Sequence, residues 1–175
     1  MIPRYSTTQA AFIMNNNNTH RFKINAMKKF LISAIAGSLF MTGAAQTIAQ
    51  TGPDKTLTAA AKEADAKVTD SGLVIRMLKK GTGAQPNTSS TVKVHYKGTF
   101  PDGKEFDSSY KRGEPIEFPL SGVIKCWTEG VALMKVGGKA KLTCPSSIAY
   151  GARGAGGVIP PNATLVFEVE LLGVR

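Results

Sequence analysis

Five aromatic side chains and one acid, Tyr96, Phe106, Asp107, Trp127, Tyr150 and Phe167, are what this chain offers for chemistry once the usual reactive groups are discounted. The only histidines are His20 and His95. A Ser-His-Asp or Cys-His centre would have to use His95, and its strand pattern turns it away from the face of Tyr96. Two cysteines and so few histidines fall short of a four-ligand structural zinc site, so no metal is expected. The glycines of "GARGAGG" lack the strand-then-helix setting of a dinucleotide site, and no phosphate loop of the Walker type occurs, so no cofactor is expected either. What is left is non-covalent chemistry in an apolar, aromatic setting.

The elements that must position these residues are short. "VKVHYKGTF" alternates Val92, Val94 and Tyr96 with Lys93, His95 and Lys97, the period of a half-buried strand. Pro101, Asp102 and Gly103 then mark a turn, and "KEFDSS" reads as the return strand. "LVIRMLKKG", "IEFPL", "KAKLTC" and "ATLVFEVELLGV" add further strands, the last with Leu165, Phe167, Val169 and Leu171 on one face. One helix is predicted in "WTEGVALM", where Trp127, Val131 and Met134 recur at i, i+4 and i+7. Eight residues with a glycine do not hold a helix alone in water, so this one must pack on the inward faces of the strands. The expected fold is α+β: an antiparallel sheet of five to six strands wrapped as a half-barrel around one short helix. The connection 145–163, rich in glycine and proline, reads as a structured flap anchored by Tyr150, Val158 and Ile159.

Upstream, the texture differs. Residues 1–49 carry five basic residues and no acidic one, against 17 basic and 12 acidic in the remainder, so half of the net charge of +10 lies in this segment. Met27, Lys28 and Lys29, the apolar run from Phe30 to Met41 and the small residues of "TGAAQTIAQ" read as an export signal with cleavage after Ala45 or Ala49. The run is shorter than the ~20 residues of a membrane span, so no stable membrane insertion is expected after cleavage. Residues 1–26 fit poorly with that signal, which makes Met27 the expected true start. Residues 50–71, rich in alanine and charge without a broad apolar stripe, are expected as a frayed arm with a short helix near 55–67. The domain is expected to begin at Gly72 and run to Arg175. Its charge is scattered among acidic neighbours, which argues against a nucleic-acid partner. In an oxidising compartment Cys126 and Cys144 admit one intramolecular bridge; the alternative is a pair of small buried apolar residues.

"VHYKGTFPDGKEFDSS", "VIKCWTEGV", "AYGARG" and "IPPNATLVFEVELL" together resemble the FKBP-type peptidyl-prolyl cis-trans isomerases, from about Gly72 to Arg175 and in family order. The resemblance implies an active site in the hollow between sheet and helix, with Trp127 as its floor. Around it the family match sets Tyr96, Phe106, Val123, Ile124, Tyr150, Ile159 and Phe167, with Ile116 and Val158 among the substrate-binding residues. It implies that Asp107 contacts the Tyr96 hydroxyl and Arg112, and that the Ile124 N–H and the Tyr150 hydroxyl donate to substrate carbonyls. Ile116 stands where many relatives have phenylalanine, Ala155 where some have histidine, Cys126 where glycine is frequent, and the loop between Leu120 and Val123 is two residues shorter than in common eukaryotic members. These departures touch the rim and the start of the helix.

The activity so implied is acceleration of X-Pro bond rotation in exported proteins, as a folding helper, with Tyr96, Asp107, Ile124 and Tyr150 as catalytic residues. Proline-containing unfolded or extended polypeptides are the implied partners, and macrolides of the tacrolimus and rapamycin type the implied inhibitors. The periplasm is the expected compartment and a monomer the expected state. A proline-directed binding module or chaperone with weak catalysis is the competing reading of the same hollow.

Overall fold

A computed structural model describes residues 54–175; the expected export signal and start site lie outside the described residues. The sheet is built outward from β3 (Thr91–Thr99), whose alternating Val92, Val94 and Tyr96 are fully buried. One edge of β3 pairs along its whole length with β7 (Leu165–Val174), which buries Leu165, Phe167, Val169 and Leu171. Beyond β7 come β6 (Lys139–Cys144), β2 (Val74–Lys79) and β1 (Ala66–Val68), all antiparallel. A register shift between Lys93 and Val94 interrupts the ladder of β3 with β7, the kind of irregularity that bends a strand and adds twist.

The other edge of β3 is divided. Its first half, Thr91 to Val94, pairs with β5 (Ile116–Pro119), and its last residues, Lys97 to Thr99, pair with β4 (Glu105–Ser108). Neither partner strand reaches His95 and Tyr96. The buried hydroxyl of Ser109 fills the gap, accepting from the Tyr96 N–H at 2.8 Å and lying 2.9 Å from His95 Nδ1. A backbone donor that would otherwise be orphaned in the core is satisfied by a side chain.

The helix α3 (Lys125–Ala132) lies across the inward face, following α1 (Lys55–Ala61) and the single turn α2 (Ser109–Arg112) in chain order. Its Trp127 and Val131, with Met134 just beyond, are buried as the i, i+4, i+7 spacing predicts. Burial of each large apolar side chain supplies ~1.5–3 kcal/mol, which is what holds a helix this short. Gly130 marks its closest approach to the sheet: a Cβ there would sit 2.9 Å from both Leu142 methyls and 3.3 Å from Leu73 Cδ2. Thr128 donates its hydroxyl to the Leu120 carbonyl at 2.6 Å, tying the first turn of α3 to the 3-10 turn Leu120–Gly122.

All six expected strands are present in an open antiparallel sheet, and β1 makes a seventh. That strand corrects the expectation of a frayed arm. Residues 54–71 are docked: Ala60 is buried, β1 pairs with β2, and Glu63 accepts from Arg76 at 3.0 Å and Lys141 at 2.6 Å. The absence of an apolar stripe misled the sequence reading, because polar side chains and strand pairing do the docking. None of the helices among the described residues is long and apolar enough to cross a membrane.

Candidate active site

Trp127 is the hub of the aromatic cluster. Its ring meets Tyr96 edge-on at 5.2 Å between centroids, Phe167 edge-on at 5.3 Å and Phe118 at 5.5 Å, so it touches β3, β7 and β5 at once. Phe106 packs edge-on against Phe167 at 5.6 Å and against Phe100 at 5.1 Å. Edge-to-face pairs at such distances each add ~0.5–1.5 kcal/mol beyond burial. Gly98 makes room for them, since a Cβ there would lie 2.6 Å from Phe106 Cζ and 3.0 Å from Phe167 Cε1.

One side of this cluster is polar and internally paired. The Tyr96 hydroxyl and Arg112 Nη1 both donate to the Asp107 carboxylate, and Arg112 Nη2 donates to the Tyr96 oxygen at 2.8 Å. The guanidinium carbon also lies 5.5 Å from the centroid of the Tyr96 ring. A capped turn sets this geometry: Asp107 is the next-to-last residue of β4, the Ser108 hydroxyl accepts from the Lys111 N–H at 3.4 Å, and α2 delivers Arg112 back beside the acid. The pair is largely withdrawn from water, with side-chain exposure of 9% for Asp107 and 22% for Arg112. Burial, then the bond to Asp107, pushes the Tyr96 hydroxyl above its ordinary pKa, so it stays protonated. Burial works to lower the Arg112 pKa, but the bonds to Tyr96 and Asp107 outweigh it, and the guanidinium stays charged.

Other groups of the cluster are donors without acceptors. Tyr150, 8% exposed in the flap, is raised in pKa by burial and then by the charge of Asp107, and its hydroxyl meets no hydrogen-bond partner among the described residues. Ile124, just before α3, accepts from the N–H groups of Trp127 and Thr128 at 2.9 and 3.1 Å, while its own N–H has no acceptor among the described residues. Trp127 Nε1 is a buried donor without an acceptor there as well. Leaving a buried donor unmatched costs ~1–3 kcal/mol, so the buried indole N–H of Trp127 is a feature that needs a reason.

Of the residues singled out in the sequence, Tyr96, Val123, Ile124, Trp127, Tyr150, Ile159 and Phe167 share one core cluster, with Phe106 and Ile116 packed against it and Asp107 and Arg112 at its polar side. Val158 does not join. The Ala155 and Ile159 backbones pair with each other, which leaves Val158 at the tip of a turn and 48% exposed. Phe118 and Phe100 belong to the cluster and were missed by the sequence reading. Phe118 had a signal, for it stands two residues after Ile116 on the same face of β5. A recess of about 300 Å³ within the flap, between Arg153 and Pro161, shares Ile159 with this cluster but none of its rings.

Cys126 and Cys144 are joined in a disulfide with Cα atoms 5.9 Å apart. The bridge fastens the residue before Trp127 to the end of β6.

An open antiparallel sheet with one helix across its face, an aromatic floor and a flap is the architecture of the prolyl isomerases suggested by the sequence motifs. The profile of the FKBP-type peptidyl-prolyl cis-trans isomerases matches residues 82–172, and the chain belongs to that family. It is 56% identical over 115 residues to the FKBP-type peptidyl-prolyl cis-trans isomerase FkpA of Escherichia coli K12, a match covering 66% of this chain and 42% of that one. It is 58% identical over 103 residues to FK506-binding protein 1 of Dictyostelium discoideum, covering 58% of this chain and 96% of the relative. The crystal structure of FkpA from Escherichia coli superposes with a TM-score of 0.66 at 53% identity, covering 68% of this chain and 55% of that one. The chain thus spans less than half the length of the FkpA protein it matches.

Proposed function

We propose that this chain accelerates cis-trans isomerisation of X-Pro bonds in exported polypeptides. One observation carries the reading: an aromatic hollow floored by Trp127, with the Tyr150 hydroxyl of the flap and the Ile124 N–H before α3 in the same cluster and without an acceptor of their own among the described residues. Two such donors suit the carbonyls that flank a proline. The barrier to peptide rotation, ~18–20 kcal/mol, comes from amide resonance, and crossing it makes and breaks no covalent bond. No nucleophile is therefore required. The twisted amide has less charge separation than the planar one, so an apolar site favours it over the ground state, which is differential binding of the transition state. An acceleration of ~10⁵ needs ~7 kcal/mol, to be shared among shape fit, desolvation and the two hydrogen bonds.

Tyr96, Asp107 and Arg112 are assigned here to shape and field. Both oxygens of Asp107 already accept, one from Tyr96 and one from Arg112, and the rotation has no proton for a base to remove. Substrate packing falls to Phe106, Ile116, Val123, Trp127, Ile159 and Phe167. The basic, apolar and small-residue sequence of 27–49, together with the disulfide, supports export to an oxidising compartment, the periplasm; action there as a monomer on unfolded or extended segments is part of the same proposal. The likeness to a relative named for binding FK506 supports macrolides as inhibitors.

Isomerisation of a Leu-Pro tetrapeptide, measured with and without rapamycin, tests this. Rapid turnover abolished by stoichiometric drug is the expected result. A folded protein that binds the drug yet turns nothing over would overturn the isomerase reading in favour of a proline-directed binding module.

A further inference from the structure

The docked segment 54–71 lies outside the range matched by the family profile, yet two of its side chains reach elements of the hollow. Asp54 caps α1 with one carboxylate oxygen, which accepts from the N–H groups of Thr56 at 2.7 Å and Leu57 at 3.4 Å. Its other oxygen accepts from the Thr164 hydroxyl, 110 positions away. Thr164 is buried, 8% exposed, and stands where the flap rejoins the sheet, one residue before β7. Two residues back, the Asn162 N–H donates to the Gly151 carbonyl at 2.8 Å, immediately beside Tyr150. At the other end of the segment, Ser71 donates to Glu129 at 2.6 Å, two residues after Trp127 on α3.

We propose that Asp54 is a positioning residue for the hollow: by accepting from Thr164 while it caps α1, it couples the docking of α1 to the seat of the flap that carries Tyr150. The flap is poor in regular structure, its one bridge being Ala155 with Ile159, so its anchors at the exit weigh heavily in how often it opens. A carboxylate is the stronger kind of acceptor, and the buried Thr164 hydroxyl would lose it if α1 undocked. Undocking α1 therefore loosens the flap without touching a residue of the hollow.

The kinetic part of this inference rests on the isomerase reading; the exchange part does not. Thr164→Val removes the hydroxyl, keeps the shape and leaves the cap of α1 intact. Hydrogen exchange at the Ala155 and Ile159 amides, which bond across the flap, is expected to quicken about tenfold, the factor of one hydrogen bond to a charged group. KM for the Leu-Pro peptide should rise only as far as the closed fraction falls, much less than tenfold while the flap stays mostly closed, with kcat kept, because only the closed fraction binds. Thr164→Ser should restore both. Asp54→Ala combined with Thr164→Val should speed flap exchange no more than Asp54→Ala alone. Unchanged exchange in Thr164→Val, strictly additive effects in the double variant, or acceleration spread evenly over the sheet would each overturn the proposal. Absence of turnover in the unsubstituted chain would sink the isomerase reading and leave the exchange result to decide this one.

Discussion

The two sides of the hollow handle hydrogen bonds in opposite ways. Around Tyr96, Asp107 and Arg112 each polar group has a partner within the network, whereas the Tyr150 hydroxyl of the flap and the Ile124 N–H and Trp127 Nε1 at the start of α3 have none among the described residues. A paired network holds shape; an unpaired donor is what a substrate carbonyl can satisfy. On the proposed function, the difference teaches that ionisable residues in a site need not be where its chemistry happens: the charged network is the frame and the neutral donors face the substrate.

Substitution can break this contrast or sharpen it. Trp127→Ala removes the floor under both sides and is expected to cost ~3–5 kcal/mol in urea unfolding, with peptide turnover lost. Reducing the Cys126–Cys144 bridge, whose cysteines are 18 positions apart, should cost ~3 kcal/mol by the chain-entropy account. Comparing turnover of the reduced and oxidised forms while both remain folded tells whether the bridge also tunes the site. Tyr96→Phe should lower stability by ~1.5–3 kcal/mol, because Asp107 loses a donor and Arg112 an acceptor. Tyr150→Phe should leave unfolding within ~0.5 kcal/mol of the parent and reduce turnover roughly fivefold, the loss of one substrate hydrogen bond. If Tyr150→Phe instead fails to fold, the division between frame and working side is wrong.

The smallest effect is expected away from both sides. Hydrogen bonding from Lys141, then Arg76, against a desolvation penalty, holds the Glu63 carboxylate below its ordinary pKa of 4.5. A folded-state pKa below the unfolded one adds stability above that value and loses it as pH falls through the folded pKa. Glu63→Gln should therefore be less stable than the parent near neutrality, and the difference should shrink as pH falls below about 4.5, because the parent then loses the contribution the variant already lacks.

Much of the scaffold was legible because the apolar periods are strong: Val92, Val94 and Tyr96 for the central strand, Leu165, Phe167, Val169 and Leu171 for its partner, and Trp127, Val131 and Met134 for the helix. The docking of residues 54–71 was not, since it rests on pairs such as Asp54 with Thr164 and Glu63 with Lys141, 110 and 78 positions apart, which leave no local period. Ser109 was equally invisible. Its role arises only where two strands share one edge of β3 and leave a gap. In the flap, Val158 and Ile159 are adjacent and chemically alike, and only the bridge between Ala155 and Ile159 determines which of them turns inward.

The disulfide has a mechanical consequence. A chain pulled from its two ends transmits load through the bridge joining Cys126 and Cys144, so the intervening residues, with α3 and the Trp127 floor, carry no tension while it holds. At ~3.4 Å per extended residue, some 18 residues of contour, about 60 Å, stay hidden from the pulling axis. In a single-molecule stretching trace the oxidised protein should reach full extension shorter by nearly that length, and reductant should release it in one step.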